Sequence, residues 1–187
     1  MILKDRTNPE ILLSDARKGR NEALGSLLDL YRNYLHLLAR TQIDLHLQKQ
    51  ADPSDLVQET FLEAYRDFGQ FRGKTAAELR AWLRRILVHN LSSLIEKRMG
   101  ARKRDIRREV SLQARIESLE RSSADFEAAL VGSWTSPAVK EERQEIAAVL
   151  ADHLAQLPER YREVIVLRNF EGLPFKDVAE RLGLTSG

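Results

Sequence analysis

The strongest constraint in this sequence is a helical period that recurs along most of its length with almost nothing competing against it. In "NEALGSLLDLYRNYLHLLARTQI", Leu24, Leu27, Leu28, Tyr31, Leu35 and Leu38 return at three- and four-residue steps and share one side. No alternating β-branched run and no Asn-Gly hairpin turn interrupts the pattern. An all-α protein is therefore expected. The 187 residues suffice for one medium domain or two small ones. A hydrophobic fraction of 43% is enough to bury a core.

Start and stop signals divide the pattern. A first helix is expected over Pro9 to Arg17. "DPSD" opens another, with Pro53 in its first turn and either Asp52 or Ser54 as cap, and Gly69 should end it. The short loop "GQFRGKT" follows. A long helix then runs from Thr75 or Ala76 through "AAELRAWLRRILVHNLSSLIEKR". Leu79, Leu83, Ile86, Leu87, Asn90 and Leu94 are expected on its inner face, with Trp82, Arg85, His89 and Ser92 on or beside the outer one. Over 101–139 the period weakens, in a stretch first rich in Lys and Arg and then in Ser and acid, which reads as a linker. From 140 to 187 three further helices are expected, in "EERQEIAAVLADHLAQL", "PERYREVIVLRNFEG" and "PFKDVAERLGL". No internal repeat occurs.

Within the "DPSD" helix, Val57, Phe61, Ala64, Tyr65 and Phe68 form the expected core stripe. The opposite face carries Asp55, Gln58, Glu59 and Arg66, with Leu62 at its centre. An apolar centre inside a polar rim is the layout of a small protein interface. Asp52, Asp55, Gln58, Glu59, Leu62 and Arg66 are thus candidate contacts for a protein partner.

Net charge is only +2, so the distribution of charge carries the argument. Arg84, Arg85, Lys97 and Arg98 lead into Arg102, Lys103, Arg104, Arg107 and Arg108, a run suited to a phosphate backbone, though a solvated helix end would look the same. Trp82 and His89 stand beside it, and aromatic rings next to cations suit unstacked bases. Phe71, Arg72, Gly73, Lys74, Trp82, Arg84, Arg85, His89, Ser92, Lys97 and Arg98 are the candidate DNA contacts. Near the end, "FKDVAERLGLTS" places Lys176, small Ala179, Gly183, Thr185 and Ser186 as in a helix-turn-helix, or as in a plain helical hairpin with a glycine cap. The sequence ends at Gly187, where a recognition helix would begin, so the motif is expected to have its support and lack its reader.

Several classes are excluded. There is no cysteine, hence no disulfide, thiolate metal site or cysteine nucleophile. His36, His46, His89 and His153 show no metal spacing, and no nucleophile–base pair is evident, so neither enzyme, metal nor cofactor is expected. No signal peptide and no membrane-length apolar window occurs, so no membrane insertion and a cytoplasmic location are expected.

Taken in order, "DPSDLVQETFLEAY", the "FRG" loop, "AWLRRILVHN", the basic tail and "LPERYREVIVLRNFEGLPFKDVAERLGLTSG" resemble the extracytoplasmic-function (ECF) sigma factors, sigma-70 family, of bacterial RNA polymerase. The resemblance implies two small helical domains, region 2 over 8–100 and an incomplete region 4 over 140–187, joined by the linker 101–139. It implies a promoter-specificity factor that does no bond chemistry. Its partners would be the RNA polymerase core, promoter DNA, and an anti-sigma factor or other regulator. The largest-subunit clamp would take the face bearing Asp55, Gln58, Glu59 and Leu62, and the flap would hold region 4. The minus-ten element would be captured as a single strand, with a flipped base at the Phe71–Lys74 loop and the adjacent helix face beside it. Region 4 would read the minus-thirty-five element as duplex. The linker acids Glu109, Glu117, Glu120, Asp125 and Glu127 would thread toward the RNA exit path. Two other readings of the residues stay open. A stand-alone helix-turn-helix regulator would bind duplex DNA unaided, and a protein-binding module would titrate polymerase or an anti-sigma factor.

Overall fold

The structure, a computed structural model, describes residues 8–47, 51–98, 114, 116–121, 125, 128, 140–170 and 173–184. All regular elements among the described residues are helical, as the period predicts. The chain divides into two units, Met1–Ser123 and Ala124–Gly187.

In the first unit, α1 (Pro9–Arg17) begins with Asn8, whose Oδ1 accepts from the Glu10 amide at 3.0 Å. Gly19, at φ 84°, turns the chain toward α2 (Asn21–Leu30). A break at Tyr31 separates α2 from α3 (Arg32–Leu47). Asp52 caps α4 (Pro53–Asp67) by accepting from the Ser54 amide at 2.8 Å, and Pro53 fills the position whose amide needs no partner. The last turn then tightens into a 3-10 segment, Phe68–Gln70, before α5 (Ala76–Arg98). The helix therefore does not stop on a left-handed Gly69. The tighter turn brings residues three apart onto one side, and the Phe68 and Phe71 rings stack 6.1 Å apart.

α4 packs against α3 and α5, and α1 packs against α2 and α5. Leu13, Leu27, Tyr34, Leu35, Leu38, Val57, Leu79, Leu83, Leu87 and Leu91 fill the core. The buried stripe of α4 is Leu56, Val57, Thr60 and Ala64. This corrects the expected stripe at one end, since Tyr65 is 49% exposed and Phe61 and Phe68 are half-buried. Thr60 can take the core position because its hydroxyl donates to the Leu56 carbonyl at 2.8 Å, so no polar atom is stranded.

α5 is buried over more than half its circumference, including Arg80, Ile86, Val88, Leu91, Ser92 and Ile95. Ser92, expected on the outer face, is buried to 1% exposure, while Asn90 and Leu94, expected inside, are half-buried. A helix packed by several neighbours has no single inner face, so its apolar period underdetermines which flank is covered. Ile116 and Leu119, in the helical residues 116–121, are also buried.

The second unit contains α6 (Lys140–Gln156), α7 (Glu159–Ile165), a π-helical turn Val166–Phe170, and α8 (Phe175–Arg181). Ala151, Leu154, Val166, Leu167 and Val178 are buried. α8 ends as its sequence predicts. Gly183 adopts φ 64°, its amide donates to the Glu180 carbonyl at 3.1 Å, and the Leu184 amide donates to that of Ala179 at 2.7 Å. This pair of bonds is a Schellman cap.

Candidate functional site

The outward face of α4 matches its expected layout and is wider. Asp55, Gln58 and Glu59 are exposed, and Leu62 is 64% exposed. Tyr65, one turn on, adds a second exposed apolar body beside Leu62. Two rim residues are already engaged. Asp52 is the helix cap. Arg66 grips Asp67 with Nε and Nη2, each 3.1 Å from a carboxylate oxygen. That hydrogen-bonded pairing pushes the Asp67 carboxyl below its ordinary value. A groove of about 230 Å³ runs between the start of α4 and the end of α5, lined by Asp52, Asp55, Glu59, Asn90, Ser93 and Lys97 among others.

The 71–74 loop is built from the inside. Phe71 is buried, with Trp82 at 5.2 Å and the Arg17 guanidinium 5.7 Å above its ring. Gly73 crosses the edge of that ring so closely that a Cβ there would lie 2.4 Å from Phe71 Cζ. Its carbonyl accepts from Arg17 Nη2. Glu78 Oε2 accepts from the Lys74 amide at 2.5 Å, the Thr75 amide at 3.0 Å and the Thr75 hydroxyl at 3.2 Å. The Glu78 amide donates back to Thr75 Oγ1 at 3.2 Å, which completes a capping box at the start of α5. These bonds, led by that from the Lys74 amide, hold the Glu78 carboxyl below its ordinary value. Two of the four loop candidates, Phe71 and Gly73, are thus internal supports. Arg72 and Lys74 are the exposed cations that the supports present.

On α5, the half-buried Trp82 and the exposed Arg85 and His89 form an outer stripe that continues from the loop through the Phe71–Trp82 contact. Arg85 Nε lies 3.8 Å from Glu120 Oε1, so a linker acid already sits beside this stripe. Arg84 is half-buried and Lys97 lines the groove toward α4. Ser92 is inside and drops out of the surface. The Arg98 side chain and the basic run 102–108 lie outside the described residues.

In the second unit, Lys176 is exposed, Ala179 half-buried and Gly183 in the cap; Thr185 and Ser186 lie outside the described residues. Phe175 is 68% exposed beneath the Arg168 guanidinium, 5.1 Å from its ring centre. Among the described residues no group of three metal-ligating side chains occurs.

Sequence reasoning missed four residues that shape these surfaces: Glu10, Arg17, Tyr65 and Glu78. Glu78 carried a legible signal, because "TAAE" has the spacing of a capping box. Glu10 and Arg17 reach the loop from α1 across more than fifty residues, and no local pattern encodes that.

Two helical units, one presenting an acidic face with an apolar centre and a cation-bearing stripe on separate helices, define a helical binding protein. Comparison with known proteins gives the family. Residues 27–100 match the family described as Sigma-70 region 2, and residues 148–187 match Sigma-70, region 4. The RNA polymerase sigma-H factor of Pseudomonas aeruginosa is 31% identical over 169 residues, covering 90% of this chain and 79% of that protein. The RNA polymerase sigma factor YlaC of Bacillus subtilis is 28% identical over 163 residues, covering 84% and 80%. The ECF RNA polymerase sigma-E factor of Haemophilus influenzae is 26% identical over 180 residues, covering 95% and 85%. No solved structure matches significantly. The chain belongs to the sigma-70 family and is of the ECF type.

Proposed function

We propose that the protein holds core RNA polymerase through the outer face of α4 and captures the minus-ten strand with the 71–74 loop and the outer stripe of α5. Recognising promoters for RNA polymerase is the work of the family. The assignment of residues is our reading. One observation carries it: Arg72 and Lys74 are exposed on a loop whose backbone is tied down from three sides. A rigid backbone with exposed cations at its edge is what capture of a charged, unstacked strand requires.

The domains we assign are region 2 over 8–100, a linker over 101–139 and region 4 over 140–187. Region 4, including Lys176 on α8, is assigned to the polymerase flap and the minus-thirty-five duplex. An anti-sigma factor is the further partner commonly found with ECF factors. The cytoplasm is the location that goes with this work, and no described helix is long and apolar enough to cross a membrane.

The energetics are those of binding. Extruding a base costs a few kcal/mol. Phosphate contacts at Arg72, Lys74 and Arg85 would offset part of it, and each good base contact would discriminate by about 1–3 kcal/mol. Bond chemistry stays with the polymerase. The test is binding of a labelled single-stranded minus-ten oligonucleotide to holoenzyme made from core polymerase and the full chain. Arg72→Ala with Lys74→Ala should weaken binding about tenfold or more and lower the salt slope by about 1.4, two phosphate contacts at about 0.7 each. Unchanged affinity and slope would remove the loop from the DNA interface.

A further inference from the structure

The loop is held by a helix that the region 2 match does not include. α1 spans Pro9–Arg17, whereas the match begins at residue 27. Two α1 side chains reach the loop. Glu10 Oε1 accepts from the Ala76 amide at 2.8 Å, and Arg17 Nη2 donates to the Gly73 carbonyl. Glu10 and Arg17 are seven residues apart, two helical turns, so both project from one side of α1. They grip points only three residues apart, Gly73 in the loop and Ala76 at the start of α5. Tyr31, at the end of α2, adds a third hold, its hydroxyl donating to the Ala76 carbonyl at 3.3 Å.

Arg17 does two things at once. Its guanidinium closes the open face of Phe71, and its donor satisfies the Gly73 carbonyl between Arg72 and Lys74. The amides of Lys74 and Thr75 are already bound by Glu78. With Arg17 in place both donors and acceptor of this turn are fixed, so the directions in which Arg72 and Lys74 leave the backbone are fixed too. Without Arg17, Glu78 still holds the far side, and the Gly73 carbonyl and the Phe71 face open to solvent. Arg17 itself is exposed, so its loss uncovers one face of Phe71 and leaves the apolar side chains of α1 in place.

We infer that Arg17 is a positioning residue for strand capture: α1 sets the geometry of the 71–74 loop and thereby the base selectivity of the minus-ten site. This rests on the reading that the loop captures DNA. It predicts a defect in selectivity, with folding and polymerase docking intact, which a merely stabilising arginine would not give.

The experiment uses holoenzyme reconstituted from core polymerase and the full chain. Single-stranded minus-ten oligonucleotides are titrated, each with one base in turn replaced by an abasic site. The penalty at the most sensitive position measures base capture. For Arg17→Ala that penalty should fall at least fivefold, with affinity for core polymerase and thermal midpoint unchanged. The salt slope should stay as in the wild type, since Arg17 is not assigned a phosphate contact. Lys74→Ala is the control. A penalty that persists in Arg17→Ala overturns the role of Arg17, and a salt slope lowered by about 0.7 in Lys74→Ala then leaves the loop reading standing. A salt slope lowered by about 0.7 with the penalty intact makes Arg17 a phosphate contact and also overturns it. A wild type with no abasic penalty and a salt slope that Lys74→Ala leaves unchanged overturns both.

Discussion

Gly73→Ala tests whether the loop's shape is set by the packing beneath it. The backbone at Gly73 is not left-handed, so alanine is not barred by conformation. It is barred by space. The new Cβ would lie 2.4 and 2.6 Å from Phe71 Cζ and Cε2, and 2.8 Å from Glu78 Cβ. The ring cannot yield easily, with Phe68 at 6.1 Å, Trp82 at 5.2 Å and the Arg17 guanidinium at 5.7 Å around it. Overpacking of this kind costs about 1–3 kcal/mol. The ceiling is expulsion of the phenyl ring, about 3 kcal/mol. A loss of about 2 kcal/mol should lower the melting temperature of the first unit by about 10 °C. Thermal unfolding followed by circular dichroism reads this directly. The same variant should bind the single-stranded minus-ten oligonucleotide about tenfold more weakly as holoenzyme, because the loop has to shift. Phe71→Leu in the same chain should relieve the clash, so the two changes together should cost less than their sum by more than about 0.5 kcal/mol. A melting temperature within about 2 °C of wild type, or strict additivity of the pair, would refute the packing argument.

Leu62→Ala should leave stability within about 0.5 kcal/mol, since the side chain is 64% exposed, yet weaken core polymerase binding by about 1–2 kcal/mol. Equal affinity in a fluorescence titration would take α4 out of the docking face. Glu78 has its folded pKa depressed by the Lys74 and Thr75 amides, so its contribution is present above the ordinary glutamate range and lost as pH falls through the depressed value. The melting-temperature gap between wild type and Glu78→Gln should therefore close on acidification, and a gap independent of pH would count against the capping role. Ser92 Oγ is buried without a partner among the described residues, so Ser92→Ala should stabilise by about 1 kcal/mol in denaturant titration and leave DNA binding unchanged. Weaker DNA binding by that variant would return Ser92 to the nucleic-acid face.

The elements were legible where a local signal was complete. Asp52 with Pro53 starts α4, Gly183 ends α8, and Leu62 lies outside, all as read from spacing alone. What spacing could not decide was the flank. On α4, Thr60 and Tyr65 sit at the two edges of one apolar arc, and propensity favours burying the tyrosine. Thr60 is inside because its hydroxyl has a carbonyl four residues back, and because the neighbouring helices cover that edge. On α5 the buried arc is too wide for periodicity to define an outside, and Ser92 was misplaced for that reason. Phe71 illustrates the third limit. A lone aromatic in a Gly-flanked loop looks like a ligand contact. Only its tertiary partners, Trp82, Phe68 and Arg17, reveal that it supports the loop.

The charges on α4 carry an argument that net charge conceals. The chain has 30 basic and 28 acidic residues, so near-complete mutual pairing would be possible. Asp55 and Glu59 are nonetheless like charges one turn apart, an arrangement that costs a helix about 0.2–0.5 kcal/mol. Asp55 recovers some of this from its place in the first turn, where the helix dipole favours an acid. Glu59, a turn further in, does not. The cation best placed to relieve the face, Arg66, bonds Asp67 first and attracts Glu63 and Glu59 only more weakly. Neither Asp55 nor Glu59 makes a hydrogen bond or ion pair among the described residues, and both line the groove between α4 and α5. A helix selected for stability alone would place a lysine four residues beyond one of them. Position 63, four residues after Glu59, is a third acid, Glu63. The local rule is broken repeatedly on one face, the face that also exposes Leu62 and Tyr65. Departures from local optimality concentrated on one surface are the expected mark of a site kept for a partner of opposite charge.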